Sequence, residues 1–134
     1  MNKKDDIQKK IVEFQILDTN LKVLQERAEA FNQKLEDLQR TKIAIEDLKT
    51  IKPSKALIPL GSGNFIYGSI ENCEEIIVGI GSDVAIKKKR EKAIEFLGSR
   101  IKELENSLNT ILKQVSAFVM QIEKVQQEIE NLQK

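Results

Sequence analysis

The sequence contains no histidine. This absence removes imidazole metal ligands, the commonest general base and every catalytic triad built on histidine. Aromatic residues make up only 4% of the chain, whereas charged residues make up 32%. This composition is typical of long helices that bury one stripe and leave the rest in water, and not of a large closed core. We therefore predict that the chain is not an enzyme and binds no metal or cofactor.

Cysteine and long apolar runs are also scarce. Cys73 is the single cysteine, so it has no intrachain disulfide partner, which fits a reducing compartment. No apolar run approaches the roughly 18 to 20 residues of a membrane span, and the first residues lead into no signal-peptide core. The net charge is +1, which gives no long-range field to attract nucleic acid or an anionic membrane. We expect a soluble, cytoplasmic protein that binds neither.

An apolar stripe is the strongest feature present. Apolar residues recur at alternating steps of three and four from position 94 to position 132, and the same register runs from position 7 to position 45. A mean step of about 3.5 residues keeps the stripe aligned along a supercoiling helix, which must be buried against a second helix. Lys10 and Lys42 fall on the first stripe, where they can lay their methylenes across the seam and help to fix the register. The apolar members are Ile7, Phe14, Leu17, Leu21, Leu24, Ala28, Phe31, Leu35, Leu38 and Ile45, then Ile94, Leu97, Ile101, Leu104, Leu108, Ile111, Val115, Phe118, Ile122, Val125, Ile129 and Leu132.

The pattern divides the chain into three segments, 1–52, 53–89 and 90–134. A first helix is predicted from about residue 4 to about residue 51, ended by Pro53, and a second from about residue 90 to near Lys134. Between them, alternating residues and glycine-containing turns predict strands at 55–60, 64–70, 75–80 and 84–88, which form two hairpins. The predicted fold class is α+β, a long antiparallel two-helix coiled coil with two central β-hairpins that assemble into an intersubunit β-barrel.

The hairpins require other subunits. Two isolated hairpins are marginal in water, because they expose their edges and have little apolar surface to bury. We therefore predict oligomerisation through this segment, by closure of strands into a barrel. The predicted oligomerisation residues are Leu57, Ile58, Leu60, Phe65, Ile66, Ile70, Ile76, Val78, Ile80, Val84 and Ile86.

Two short motifs admit more than one interpretation. The glycines at 61, 63, 79 and 81 resemble parts of phosphate-binding loops but lack the following Lys-Ser/Thr signature, so hairpin turns are favoured. The basic run at 87–90 either contacts phosphate or an acidic partner, or is a solvated junction between strand and helix. Nearby Glu91 and Glu95 favour the solvated junction.

Some apolar residues lie off the stripe near the two chain termini. Ile11, Val12 and Ile16, together with Val119 and Met120, occupy outer positions although the stripe beside them is already filled. Antiparallel pairing brings these two groups to the same end of the helix pair. Exposed apolar surface usually marks a contact site, and the flexible thioether of Met120 suits partners of varied shape. The alternative is that these residues widen the seam or pack on a neighbouring subunit.

The order helix, two hairpins, helix resembles the alpha-class subunit of archaeal prefoldin. The likeness rests on the segment LIPLGSGNF at 57–65 and on AIEFL at 93–97, which enters a long heptad helix. Many relatives carry a second glycine after the third strand, whereas Ser82 and Asp83 follow Gly81 here. This departure leaves the geometry of the second hairpin open.

The resemblance implies a hexamer of two alpha-class and four beta-class subunits joined through a double β-barrel. It further implies an ATP-independent holdase chaperone that binds non-native polypeptides at its coiled-coil tips and delivers them to a group II chaperonin. Carried onto this sequence, the polypeptide-binding tip is predicted to consist of Ile7, Ile11, Val12, Ile16, Val119, Met120, Val125, Ile129 and Leu132.

Two rival functions stay open from the residues alone. A self-assembling filament or spacer would use the same hairpins between identical copies. A nucleic-acid-binding coiled coil ranks last, because the net charge is close to zero.

Overall fold

A computed structural model describes residues 2–52 and 54–134 and shows six elements in the predicted order. Along the chain, a long helix precedes the four strands and another follows them. The strands form two separate antiparallel hairpins. No helix in the described part of the chain has both the length and the hydropathy needed to cross a membrane. The elements are α1 (Lys3–Asp47), β1 (Ser54–Gly61), β2 (Asn64–Ile70), β3 (Glu75–Gly81), β4 (Val84–Lys89) and α2 (Arg90–Gln133).

Helix α1 is capped at its start and tightens at its end. The side chain of Asn2 accepts a hydrogen bond from the Lys4 backbone N–H at 3.1 Å, while Asp5 and Asp6 place negative charge near the helix N-terminus. The helix ends at Asp47, earlier than predicted, and successive i to i+3 backbone bonds then continue the turn as far as Ile51. The predicted role of Pro53 lies outside the described residues.

The first of two compact units joins residues 2–35 with residues 103–134. The side chain of Lys3 donates to the Lys134 carbonyl at 2.9 Å, and Lys10 pairs with Glu128 at 2.5 Å. As residue numbers rise on α1, the partner numbers fall on α2. The helices in this unit therefore pair antiparallel, with the beginning of α1 beside the end of α2.

The stripe forms the seam, as predicted. Every apolar stripe residue on both helices is buried or half-buried, and Lys10 and Lys42 are half-buried beside them. No polar side chain is buried among the described residues. The most buried members are small or branched aliphatic residues, and the core is correspondingly a thin seam: Ala28, Leu35, Ile45, Leu97, Ile101, Ile111, Ile122 and Val125.

The second unit, residues 36–102, contains both hairpins and the start of α2. Strand β4 runs directly into α2 at Arg90, whose backbone N–H donates to the Glu74 carbonyl at 2.8 Å. The Arg90 guanidinium donates to the Cys73 carbonyl at 2.9 Å, which fastens the β2–β3 connection to the helix. The adjacent Glu91 carboxylate accepts from its own backbone N–H, which lowers its pKa, and the charges of Arg90 and Lys49 act in the same direction.

Both hairpins use the same type of turn. In each, a glycine with φ above +100° precedes two residues with positive φ: Gly61 leads into Ser62 and Gly63, and Gly81 into Ser82 and Asp83. Two central residues with positive φ suit the right-handed twist of the flanking strands, and Asp is among the residues that adopt this conformation most readily. Asp83, at φ 61°, takes the place that Gly63 fills in the first hairpin. The second hairpin therefore closes without a second glycine.

Replacement of Gly98 by Ala should stabilise the chain by about 1 kcal/mol, because glycine in a helix interior costs about that much relative to alanine. A Cβ at this position would meet only the flexible Lys42 Nζ, at 3.8 Å, which is an ordinary contact. The change is measured as a higher midpoint of thermal unfolding by circular dichroism. A lower midpoint would show that the helices approach more closely here than described.

Replacement of Gly81 by Ala should, in contrast, destabilise the second hairpin. Gly81 has φ +110°, which residues with a side chain rarely adopt, so Gly81→Ala strains the turn. A cost of about 1 to 2 kcal/mol would speed amide hydrogen exchange in β3 and β4 by roughly 5- to 30-fold. Gly79→Ala is the matched control, because Gly79 lies in the same strand without positive φ and with open space around its Cβ position. Equal exchange in both variants would contradict the assigned turn.

Candidate functional site: hairpin faces and helix ends

The first hairpin is apolar on both faces. Ile58 pairs with Ile66 on one face, while Leu57 pairs with Tyr67, and Pro59 with Phe65, on the other. All six residues are exposed in the single chain. A stable hairpin usually buries one apolar face and turns a polar face to water. With apolar residues on both faces, this hairpin needs apolar cover on both sides.

The second hairpin is covered on one face only. Val78 is 5% exposed and Ile76 is half-buried, and Lys88 on the same face lies over the Phe96 ring of α2. Arg100 of α2 reaches the Gly79 carbonyl at 3.4 Å. The chain thus covers Val78 itself, although the sequence pattern assigned this residue to other subunits. Its place among the oligomerisation residues stays a prediction.

Two strongly exposed apolar residues lie outside the predicted oligomerisation set. Tyr67 is 82% exposed and Ile77 is 75% exposed, more than any residue of that set. Tyr67 shares one face of the first hairpin with Leu57 and Phe65, which belong to that set, whereas Ile77 lies on the face of β3 opposite Ile76 and Val78. The unbroken run Ile76, Ile77, Val78 was the available signal, since continuous apolar runs are typical of strands buried on both faces.

The helix ends are held by a charge pair. Lys10 Nζ contacts Glu128 across the seam at 2.5 Å and Glu13 on its own helix at 3.3 Å. The hydrogen bond to Glu128 raises the pKa of Lys10, and Glu13 adds to this effect. The same hydrogen bond from Lys10 lowers the pKa of Glu128. Lys10, a polar residue on the stripe, therefore pairs with Glu128 only when the helices pack in this register.

The predicted tip residues divide into three groups. Ile11, Val12, Ile16 and Met120 are exposed, and Met120 is the most exposed of them at 70%. Ile7, Val119, Ile129 and Leu132 are half-buried along the seam or at its margin. Val125 is 4% exposed, so it belongs to the core of the coiled coil and is accessible only where the helices part.

Pairing of Lys10 with Glu128 brings the exposed groups to the same end of this unit. Val12 and Ile16 lie one helical turn apart and so share one face of α1. Within residues 2–52 and 54–134, no group of three or more His, Cys, Asp or Glu is placed to hold a metal ion. What the helix ends and the hairpins present is apolar surface suited to contact with other polypeptides.

Comparisons with known proteins agree with this arrangement. A family model described as prefoldin subunit matches residues 17–134. The chain is 31% identical to the prefoldin subunit alpha of Archaeoglobus fulgidus, over 96% of this chain and 95% of that protein. It is 29% identical to the prefoldin subunit alpha of Pyrococcus horikoshii, over 89% of this chain and 79% of that protein.

A solved structure shares the fold. The chain aligns with a filamentous PFD from Methanocaldococcus jannaschii, determined by cryo-EM, with a TM-score of 0.72 and 17% sequence identity. The alignment covers 85% of this chain and 95% of the other.

The Lys10–Glu128 pair predicts a defined pH dependence. The pKa of Glu128 is lowered from 4.5, so its pairing stabilises the fold above that value and is lost as the pH falls through the lowered pKa. The pKa of Lys10 is raised from 10.5, so its contribution is present below that value and is lost as the pH rises through the raised pKa. Glu128→Gln should therefore lower the thermal midpoint at neutral pH.

The difference between the parent and Glu128→Gln should shrink as the pH falls below 4.5. Glu130→Gln, at an exposed neighbouring position, controls for the general loss of one carboxylate. Thermal unfolding followed by circular dichroism at several pH values measures the effect. A difference that stays constant down to the lowest pH would show that the pair does not stabilise the folded chain.

Proposed function

Since this chain belongs to the prefoldin family, among its alpha-class subunits, we propose that it serves an ATP-independent holdase chaperone that grips non-native polypeptides with its helix ends. One observation carries the proposal. Val12, Ile16 and Met120 are exposed although the neighbouring stripe residues already fill the seam. These side chains are therefore available for contact with another molecule, and they gather at the end of the helix pair where Lys10 meets Glu128.

The chemistry of this surface suits a holdase. Exposed aliphatic side chains and a thioether recognise apolar segments without a defined sequence, because dispersion and water release are not directional. Each contact is weak, and several tips acting on one chain raise the effective concentration. Weak multiple contacts also permit release without nucleotide hydrolysis. We propose that released polypeptides pass to a group II chaperonin.

Assembly is proposed to use the hairpins. Both faces of the β1–β2 hairpin are apolar and exposed, and Ile77, Val84 and Ile86 add exposed surface on the second hairpin. Closure of such strands with those of other subunits into a β-barrel removes both the open edges and the exposed faces. The proposed assembly is a hexamer of two alpha-class and four beta-class subunits in the cytoplasm.

A second candidate, the self-assembling filament, is favoured by one finding. The structural neighbour from Methanocaldococcus jannaschii is itself a filamentous PFD. Native mass measurement of the purified chain separates the two. Small species that form a closed complex only with a beta-class subunit support the heteromeric chaperone, whereas open-ended growth of the chain alone supports the filament.

Substitution of the tip should weaken holdase activity without loss of the fold. In the variant Val12→Ser/Ile16→Ser/Met120→Ser, suppression of aggregation of an unfolded model protein should fall at least about threefold, because apolar contact area is lost. Light scattering at fixed chaperone-to-substrate ratios gives the measurement.

The chain offers a matched control for this variant. Val23 and Ile43 are 50% and 56% exposed, close to the 53% and 56% of Val12 and Ile16, and Leu112 at 47% serves as the third control position. The variant Val23→Ser/Ile43→Ser/Leu112→Ser should keep full protection. Equal loss in both variants would mean that apolar surface along the whole coil, and not the tip, binds the substrate. Circular dichroism and native mass must match between variants.

A further inference from the structure

A basic depression lies where β4 meets α2. Its volume is about 490 Å³, and one glutamate stands against four lysines in its lining. The whole chain carries a net charge of only +1, so this depression concentrates positive charge that the rest of the surface balances. The lining residues are Lys87, Lys88 and Lys89 from the strand and Lys92, Glu95, Phe96 and Ser99 from the helix.

Phe96 positions two of the cations. Lys88 Nζ lies 5.2 Å from the centre of the Phe96 ring, and the Arg100 guanidinium carbon lies 5.1 Å from it. Arg100 is fixed further by its hydrogen bond to the Gly79 carbonyl, at 3.4 Å. Both distances are in the range of cation–π attraction. Side chains that are already ordered lose less entropy when a ligand binds, so this part of the cluster is preorganised.

The other lysines hold exchangeable partners. Lys87 pairs with Glu75 and Lys92 with Glu95, each at 3.4 Å, and all four side chains are largely exposed. Exposed pairs of this kind contribute little to stability. An incoming carboxylate can therefore replace Glu75 or Glu95 at little cost.

We propose that this basic depression, made by Lys87, Lys88, Lys89 and Lys92 around Phe96, docks an acidic polypeptide segment of a partner protein. The proposal is separate from the helix-end surface and does not depend on the holdase function. Four lysines against one glutamate in the lining identify the partner as negatively charged.

The features favour a polypeptide over a nucleic acid. Single-stranded nucleic acids bind to exposed aromatic rings that stack on bases, whereas Phe96 is half-buried and already contacts two cations.

Fluorescence anisotropy with the full-length chain tests the proposal. The ligand is a fluorescein-labelled peptide of alternating Glu and Ser residues, compared with the same peptide carrying Gln for Glu. We expect salt-sensitive binding of the Glu peptide and none of the Gln peptide. Lys87→Gln/Lys92→Gln should weaken binding about tenfold, because two exposed ion pairs are lost.

Two further variants make the test specific. Lys102→Gln/Lys113→Gln removes the same charge from exposed positions of α2 outside the depression and should change affinity less than about twofold, the weak effect of distant, screened charges. Phe96→Leu keeps every charge but removes the cation–π support, and should weaken binding about threefold. Circular dichroism confirms that each variant is folded.

Three outcomes would overturn the proposal. The first is the absence of binding of the Glu peptide at low salt. The second is equal loss of affinity in the cluster and control variants, which would indicate attraction by bulk charge only. The third is tighter binding of an oligothymidine of equal charge, which would assign the depression to nucleic acid.

Discussion

Burial of one narrow apolar stripe is the constraint on which the rest of this structure depends. A two-helix coiled coil protects only the a and d positions of each heptad, so the core is a seam and most of each helix is in water. The charged composition, the low aromatic content and the absence of a fully buried large side chain among the described residues follow from this geometry. Apolar residues outside the seam are consequently exposed unless another molecule covers them.

The polar exceptions on the stripe give the pairing its register. Apolar residues at successive heptads are nearly interchangeable, so a seam made of them alone tolerates a slip. Lys10 meets Glu128 in one alignment, and Lys42 lies opposite Gly98. A buried or half-buried polar group that fixes alignment at some cost in stability is a known device in coiled coils.

The stripe and the strands were predictable from the sequence because their apolar residues recur at a fixed spacing. The turns were predictable because they contain glycine. The coverage of individual hairpin residues was not, because alternation shows that two faces exist but not which face the following helix covers. Val78 lies on the covered face, while Tyr67 and Ile77 lie on exposed ones. Asp83 was ambiguous for a different reason, since positive φ is open to Asp as well as to Gly and only the backbone decides. At the helix ends, the heptad spacing placed Val12 and Met120 outside the seam, and both are exposed. The predicted tip residues also included Val125, which is buried in the seam.

The distance between the two helix ends within one chain tests this view of the molecule most directly. Spin labels at the exposed positions Gln15 and Lys124, in a Cys73→Ser background and diluted with unlabelled chain, report that distance by pulsed electron paramagnetic resonance. Helices packed about 8 to 10 Å apart should give a single narrow distribution centred below about 30 Å once the label arms are included. A broad distribution at much longer distances, or a short distance that disappears on dilution, would show that the helices do not fold back on one another within the chain.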